Sequence, residues 1–305
     1  MITLLTGENT YQNRLVRVQT IAKFRESHTL DAVTVVDGTV LSKDDLPQLL
    51  MGTNLFAPER YIVIDDAHAQ KIIWEALGEY LSQVSDTTDV LLVAAGADKR
   101  TKTYKWLQKH ADVRESKALD ERALANWLQA ESRTVGASLT PELARYIVEY
   151  VGFDQERLKH DIEKLRLSGQ LLTRELIRDV LIPSPQASAF ELLDATMSGD
   201  NEVVERLLEG VRMHEDPYRF FGLLANQAYA LMIVASAGTR PADEVARASG
   251  LHPFVVRKMG SVARRVNATK RNQLVEVVAQ LDVQMKSSGV DPWTLITAAL
   301  KNIAA

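Results

Sequence analysis

The sequence predicts a parallel α/β domain followed by all-α domains. Short, nearly continuous apolar runs recur in the first part of the chain, as in parallel strands buried on both faces of a sheet. These runs are residues 2–6, 32–36, 60–65 and 89–95, and residues 112–115 are a fifth possible strand. The segments between them carry apolar residues three and four positions apart, which predicts helices and right-handed βαβ units. After Lys117 the strand pattern stops and only helical periodicity continues.

Cap and turn residues divide the helical region. Thr140 and Thr173 predict helix starts, and Gly169 predicts a helix end. The segment Ile182-Pro183-Ser184-Pro185 cannot continue a helix and predicts a linker. Further helical segments follow it, the last over residues 291–304. We therefore predict domains over residues 1–117, 118–183 and 184–305.

Composition excludes several classes of protein. The chain has 305 residues, 46% apolar and 25% charged, which is typical of a globular protein. It has no cysteine, so disulfides, thiolate zinc sites and cysteine nucleophiles are excluded. The net charge of -4 argues against a free-standing nucleic-acid binder, so any DNA contact is expected to be local or shared. The six histidines lack metal-ligand spacing, and we expect no metal, no cofactor and no catalytic residue.

The opening residues show no signal-peptide pattern, and no apolar run is long enough to span a bilayer. We expect a cytoplasmic protein with no membrane partner.

The loop after the first predicted strand can be aligned with a phosphate-binding loop, G-x-x-x-x-G-K-[ST]. Gly7 keeps the first glycine, whereas Gln12 replaces the second. Asn13 replaces the lysine that reaches the phosphates, and Arg14 replaces the hydroxyl that holds magnesium. The pattern favours an erased nucleotide site that does not bind ATP. A plain strand-to-helix turn is the alternative.

A hydrophobic strand ending in Asp65 and Asp66 resembles the acidic element of an ATPase. Acidic residues after a parallel strand commonly cap helices, and without a phosphate cradle these two have nothing to act on. We interpret them as caps. A divergent ATPase that uses both carboxylates is the enzymatic alternative.

Several stretches in serial order carry a family resemblance: Asn54 to Arg60, Asp98 to Leu107, Gly152-Phe153-Asp154 with Asp161 to Leu165, Ala189 to Ala195, and Ser198-Gly199-Asp200. In this order the chain resembles the delta subunit family of the bacterial DNA polymerase III clamp loader, from about residue 2 to residue 300.

The resemblance implies an AAA+-like first domain without ATPase activity, a helical lid and a helical collar. It implies a non-catalytic subunit of a complex with DNA-directed DNA polymerase activity. The partners implied are the beta sliding clamp, whose ring the family opens, the gamma/tau motor and delta-prime subunits, and primed DNA. The motors and delta-prime share a Ser-Arg-Cys motif, which a chain without cysteine cannot carry. A helical scaffold or adaptor without a role in replication is a further alternative.

Leu55 and Phe56 match the family's hydrophobic pair that fills a pocket of the clamp. Burying both in a partner would contribute roughly 3 to 6 kcal/mol before association costs. The alternative places both in the domain core.

Lys99, Arg100, Lys102 and Lys105 form a basic cluster next to Tyr104 and Trp106. Lys102 and Lys105 share a helical face, and Tyr104 would add a stacking surface, so the cluster could contact DNA. A solvated helix start is the alternative. The later cluster of Arg257, Lys258, Arg264 and Arg265 is interpreted mainly as a solvated helix face.

Overall fold

The fold is seen in a computed structural model that describes residues 1–52 and 58–305. The chain forms two compact units, Met1–Asp120 and Glu121–Ala305. The first contains a five-stranded parallel sheet with helices, and the second is helical. The predicted fold class is confirmed. The boundary at Asp120 lies close to the predicted one at Lys117, and the further division of the helical region at residue 183 stays a prediction.

The sheet has the strand order β2-β3-β4-β1-β5. Its strands are β1 (Ile2–Thr6), β2 (Val33–Asp37), β3 (Arg60–Asp65), β4 (Thr88–Val93) and β5 (Asp112–Glu115). All pairings are parallel, with Leu4 opposite Leu92 and Ile64 opposite Leu92 on its other side. All the carboxyl ends therefore lie along one edge of the sheet.

Helices cover both faces of the sheet. They are α1 (Thr10–Arg25), α2 (Asp45–Met51), α3 (Lys71–Leu81) and α4 (Lys102–His110). Side chains alternate along each strand, so neighbours face opposite layers. Leu4 and Ile64 pack with residues of α2, α3 and α4, whereas Leu5 and Val63 pack with Ile21 of α1. This alternation explains why the strands read as continuous apolar runs.

The second unit begins with α5 (Glu121–Thr134), α6 (Pro141–Val151), α7 (Gln155–Leu167) and α8 (Arg174–Val180). The predicted start signals act as caps. The Thr140 and Thr173 hydroxyls accept backbone N–H groups from Leu143 and Leu176, both at 3.2 Å. The Asp154 carboxylate accepts two N–H groups at the start of α7.

Seven further helices complete the unit: α9 (Pro185–Ser198), α10 (Asn201–Arg212), α11 (Pro217–Ser236), α12 (Ala242–Ser249), α13 (Pro253–Arg265), α14 (Ala268–Ser287) and α15 (Pro292–Ala304). Phe220 of α11 packs against Trp293 of α15 in their core, with ring centroids 5.7 Å apart. The predicted linker is one residue too long, because Pro185 begins α9. Proline suits the first helical position, and Ser184 caps the helix by accepting the Ala187 N–H at 3.1 Å.

Candidate functional site

The carboxyl edge of the sheet is where ligands bind in open α/β folds. The loop after β1 approaches the end of β5 closely here. Gly7 has a φ of 96°, and a Cβ at this position would lie 2.3 Å from the Ser116 carbonyl oxygen. The Asn9 N–H donates to that oxygen at 3.0 Å. Glycine is therefore required at residue 7 by the packing of the chain on itself.

The turn between β1 and α1 is short. Because α1 begins at Thr10, residues 12–14 already lie in the helix. The Asn9 side chain accepts the Gln12 N–H at 2.9 Å, and the Asn13 N–H donates to the Asn9 carbonyl at 3.1 Å. A phosphate-binding loop instead points such N–H groups at its ligand. Here both groups are used by the helix itself.

Asn13 occupies the position aligned with the phosphate-binding lysine. Its side chain is 2% exposed, and its Nδ2 lies 3.4 Å from the carbonyl oxygens of both Thr6 and Gly7. Gln12 is half-buried and Arg14 is exposed. The side chain at residue 13 thus holds the backbone of the loop and adds no positive charge.

Asp65, at the end of β3, pairs with Arg17 of α1. The guanidinium donates from Nε and Nη2 to the two carboxylate oxygens, at 2.8 and 2.7 Å. The two side chains are 23% and 29% exposed. The pair joins α1 to the sheet edge by a bidentate contact, the geometry that guanidinium and carboxylate groups favour.

The interpretation of Asp65 and Asp66 as helix caps is wrong. Asp65 is held by Arg17 instead. Asp66 precedes the short turn Ala67–Ala69, but its φ of 49° is left-handed and its side chain makes no capping hydrogen bond. A capping residue needs extended backbone to place its oxygen over the first amides, which the left-handed conformation does not provide.

Two members of the basic cluster are paired with carboxylates. Lys99 Nζ donates to Glu115 at 2.7 Å, which raises the pKa of Lys99 and lowers that of Glu115. Arg100 forms a bidentate contact with Asp98 and holds the pKa of that carboxyl at about 2. These two positive charges are already compensated on the surface of the unit.

Lys102 and Lys105 lie exposed on α4, with no ion pair among the residues that the structure describes. Lys109 is also exposed and lies four residues after Lys105, so the three form a lysine row along one face of the helix. Lys109 stands outside the predicted basic cluster, although its spacing from Lys105 fits the same helical face. The stacking surface predicted for Tyr104 is wrong, because this side chain is 1% exposed in the core. Trp106 stacks on His110 at 4.6 Å.

Leu55 and Phe56 lie outside the described residues. The backbone on either side of them is well anchored, because the Arg60 guanidinium donates to the carbonyls of Leu49 and Gly52. This contact ties the end of α2 to the start of β3.

The second basic cluster is only partly a solvated face. Arg257 donates to Glu121 at 3.2 Å, and Arg265 pairs with Asp194. Lys258 is half-buried, with Nζ 4.0 Å from the centroid of the Phe190 ring, and burial lowers its pKa. Its interpretation as a solvated residue is wrong, because α13 packs its side chain inward.

The described residues include no helix that is long and apolar enough to cross a membrane, and no group of three or more histidine or acidic side chains arranged to hold a metal ion.

The later helices of the second unit are similar to a known family. Residues 186–303 match the family model described as DNA polymerase III delta subunit, C-terminal domain. The chain is 23% identical over 229 residues to DNA polymerase III subunit delta of Bacillus subtilis (strain 168). The alignment covers 72% of this chain and 66% of that protein, just under two thirds of its length.

Over these stretches the chain is similar to the DNA polymerase III delta subunit family. Its fold is similar to that of the Bacillus subtilis DNA clamp loader delta protein, with a TM-score of 0.64 and 19% sequence identity. That similarity covers 99% of this chain and 95% of the other. A parallel α/β unit followed by helices is thus the architecture that this chain shares with the clamp loader protein.

Proposed function

We propose that this chain is the delta subunit of a DNA polymerase III clamp loader, and that it works without hydrolysing ATP. In this role it binds the beta sliding clamp and holds its ring open for loading onto primed DNA. It assembles with the gamma/tau motor and delta-prime subunits in the cytoplasm. The observation that carries the proposal is the match of residues 186–303 to the delta subunit family.

The sheet edge supports the absence of ATP chemistry in this proposal. The N–H groups of Gln12 and Asn13 donate within α1, and Asp65 is held by Arg17. A nucleotide would have to displace these contacts before it could meet a phosphate cradle or a magnesium-binding carboxylate. We expect the lone chain to release no phosphate from Mg-ATP. Hydrolysis that disappears in Asp65→Asn would support the divergent ATPase instead.

Clamp binding is assigned to Leu55 and Phe56 on the strength of the family resemblance. The test is surface plasmon resonance of the full chain on the immobilised sliding clamp of the same organism. We expect Leu55→Ser with Phe56→Ser to weaken binding by at least about 100-fold, which corresponds to roughly 2.7 kcal/mol of the apolar burial available.

A matched control is available in the same unit. Leu30 and Val40 are large, apolar and 74% and 78% exposed, and both lie outside residues 53–57. Leu30→Ser with Val40→Ser removes similar apolar surface and should leave clamp affinity unchanged. If the Leu55 and Phe56 variant binds as the unmodified chain does, or if the control loses affinity equally, the assignment is wrong.

DNA contact within the assembled loader is proposed for the exposed lysines of α4, because Lys99 and Arg100 are already paired with carboxylates. Lys102→Glu with Lys105→Glu should weaken DNA binding by the complex and reduce the slope of affinity against salt by about two. Lys23→Glu with Lys43→Glu, at exposed sites elsewhere on the unit, is the control. Equal slopes for the two variants would exclude a contact at α4.

A further inference from the structure

A cavity of about 390 Å³ lies in the second unit, between the end of α11, α12, α13 and the start of α14. Four of its lining side chains are arginines, and none of its lining residues is aspartate or glutamate. The arginines are Arg240, Arg257, Arg264 and Arg271. The rest of the wall is small or apolar and includes Val234, Ala237, Val245 and Val256. The cavity therefore combines several positive charges with an apolar surface.

Most of this charge has no carboxylate to balance it. Arg257 pairs with Glu121 at 3.2 Å and lies 3.9 Å from Asp243. The Arg240 guanidinium donates to the Ala237 carbonyl at 3.2 Å, a contact that orients it without neutralising it.

Arg271 donates in the same way to the Ala263 carbonyl, at 3.4 Å. Within the described residues, Arg240, Arg264 and Arg271 have no acidic group within 4.0 Å. Guanidinium groups stay charged at any physiological pH, so these side chains repel one another until an anion joins them.

Two local features fit an anion. Arg271 lies in the first turn of α14, which contains no acidic residue that could pair with its guanidinium. Gly260 lies within α13, where glycine is unfavourable, and a Cβ there would point towards the Arg264 guanidinium at 3.6 Å. The missing side chain keeps the cavity wall open beside Arg264.

The shape of the charge distinguishes between anions. A nucleic-acid strand is matched by cations in a row, as in the lysine row of α4, because its phosphates are spread along the backbone. Arginines that line one cavity from α13, α14 and the segment after α11 match a compact polyanion. The volume lies within the range of small-molecule sites, and the apolar wall can accept a flat ring.

We propose that this cavity binds a nucleoside polyphosphate, with its phosphates on Arg240, Arg264 and Arg271 and its base against the apolar wall. The site lies in the helical unit and is independent of the loop after β1 and of the clamp-binding role. It implies that the chain can sense a nucleotide without hydrolysing it.

The test is isothermal titration of the full chain, without magnesium, with inorganic triphosphate, ATP and a single-stranded oligonucleotide. We expect triphosphate and ATP to bind at one site, and ATP to bind more tightly because its base contacts the wall. Arg264→Gln with Arg271→Gln should weaken both by at least about tenfold, since charge-assisted hydrogen bonds are lost. Gly260→Leu fills the cavity without changing its charge and should weaken ATP binding as well.

Two controls remove an arginine charge elsewhere. Arg247 is exposed on α12 outside the cavity, and Arg14 lies in the first unit; Arg247→Gln and Arg14→Gln should bind triphosphate as the unmodified chain does. The proposal is overturned if triphosphate does not bind, or if Arg264→Gln with Arg271→Gln leaves its affinity unchanged. Binding of the oligonucleotide alone would make the cavity a nucleic-acid contact and would also overturn it.

Discussion

The contact between Arg17 and Asp65 makes a quantitative prediction about stability. Replacing Arg17 with methionine keeps most of the aliphatic stem but removes two charge-assisted hydrogen bonds, at 2.8 and 2.7 Å. Both side chains are about one quarter exposed, so the cost lies between that of a surface ion pair, at most about 1 kcal/mol, and a buried one, about 3–5 kcal/mol. We expect Arg17→Met to lower the free energy of unfolding by about 1.5–3 kcal/mol.

The measurement is urea unfolding combined with hydrogen exchange of the α1 and β3 amides, which assigns the loss to the first unit. Arg25→Met is the matched control, because Arg25 is exposed on the same helix, and it should change stability by less than about 0.5 kcal/mol. A double-mutant cycle with Asp65→Asn should give a coupling of about 1–2 kcal/mol. If Arg17→Met costs no more than the control, Asp65 does not anchor α1 and is free for another role.

Two further changes test the packing of the first unit. Gly7→Ala should lower the free energy of unfolding by roughly 2–4 kcal/mol, because strain at positive φ is joined by a clash with the Ser116 carbonyl. Gly136→Ala, with open space around it, should lower it by only about 1–2 kcal/mol, from strain alone. Equal losses in urea unfolding would contradict the close approach of Gly7 to Ser116. His28 donates to Glu59, and this contact raises the pKa of His28 above 6.5. The stabilisation of the fold by protonated His28 is therefore complete below pH 6.5 and is lost as the pH rises through the folded pKa. An NMR titration should show the pKa of His28 falling in Glu59→Gln, and an unchanged value would exclude the contact.

Local patterns were sufficient to predict most elements. The bounds of β1 and β3 match the predicted runs, because their apolar residues are buried on both faces. The bounds of β5 also match the fifth possible strand, although β5 is mostly exposed. The sequence places Lys102 and Lys105 on one face of a helix, but the buried inner face of α4 is harder to predict, since Tyr104 and Leu107 stand among lysines. Pro185 was assigned to a linker, although proline is equally suited to begin a helix.

Contacts between distant residues could not be predicted. Arg17 and Asp65 are 48 residues apart, and nothing in either segment shows that they meet. From the sequence, Lys99 and Arg100 are candidates for a DNA contact. Whether Lys99 is already paired with a carboxylate depends on which strand lies beside it. The strand order that brings Glu115 next to Lys99 is set by packing across the whole sheet. For Leu55 and Phe56 the family resemblance remains the basis of the assignment.

The two-residue turn between Gly7 and Thr10 limits what mutation can do to this chain. Writing glycine, lysine and threonine into positions 12–14 would place them inside α1, where the Asn9 cap already binds the Gln12 amide. The residues of a phosphate-binding loop would be present without the loop conformation that binds phosphate. A variant that bound a nucleotide at this edge would need a longer connection as well as new side chains, and point substitution alone does not supply one.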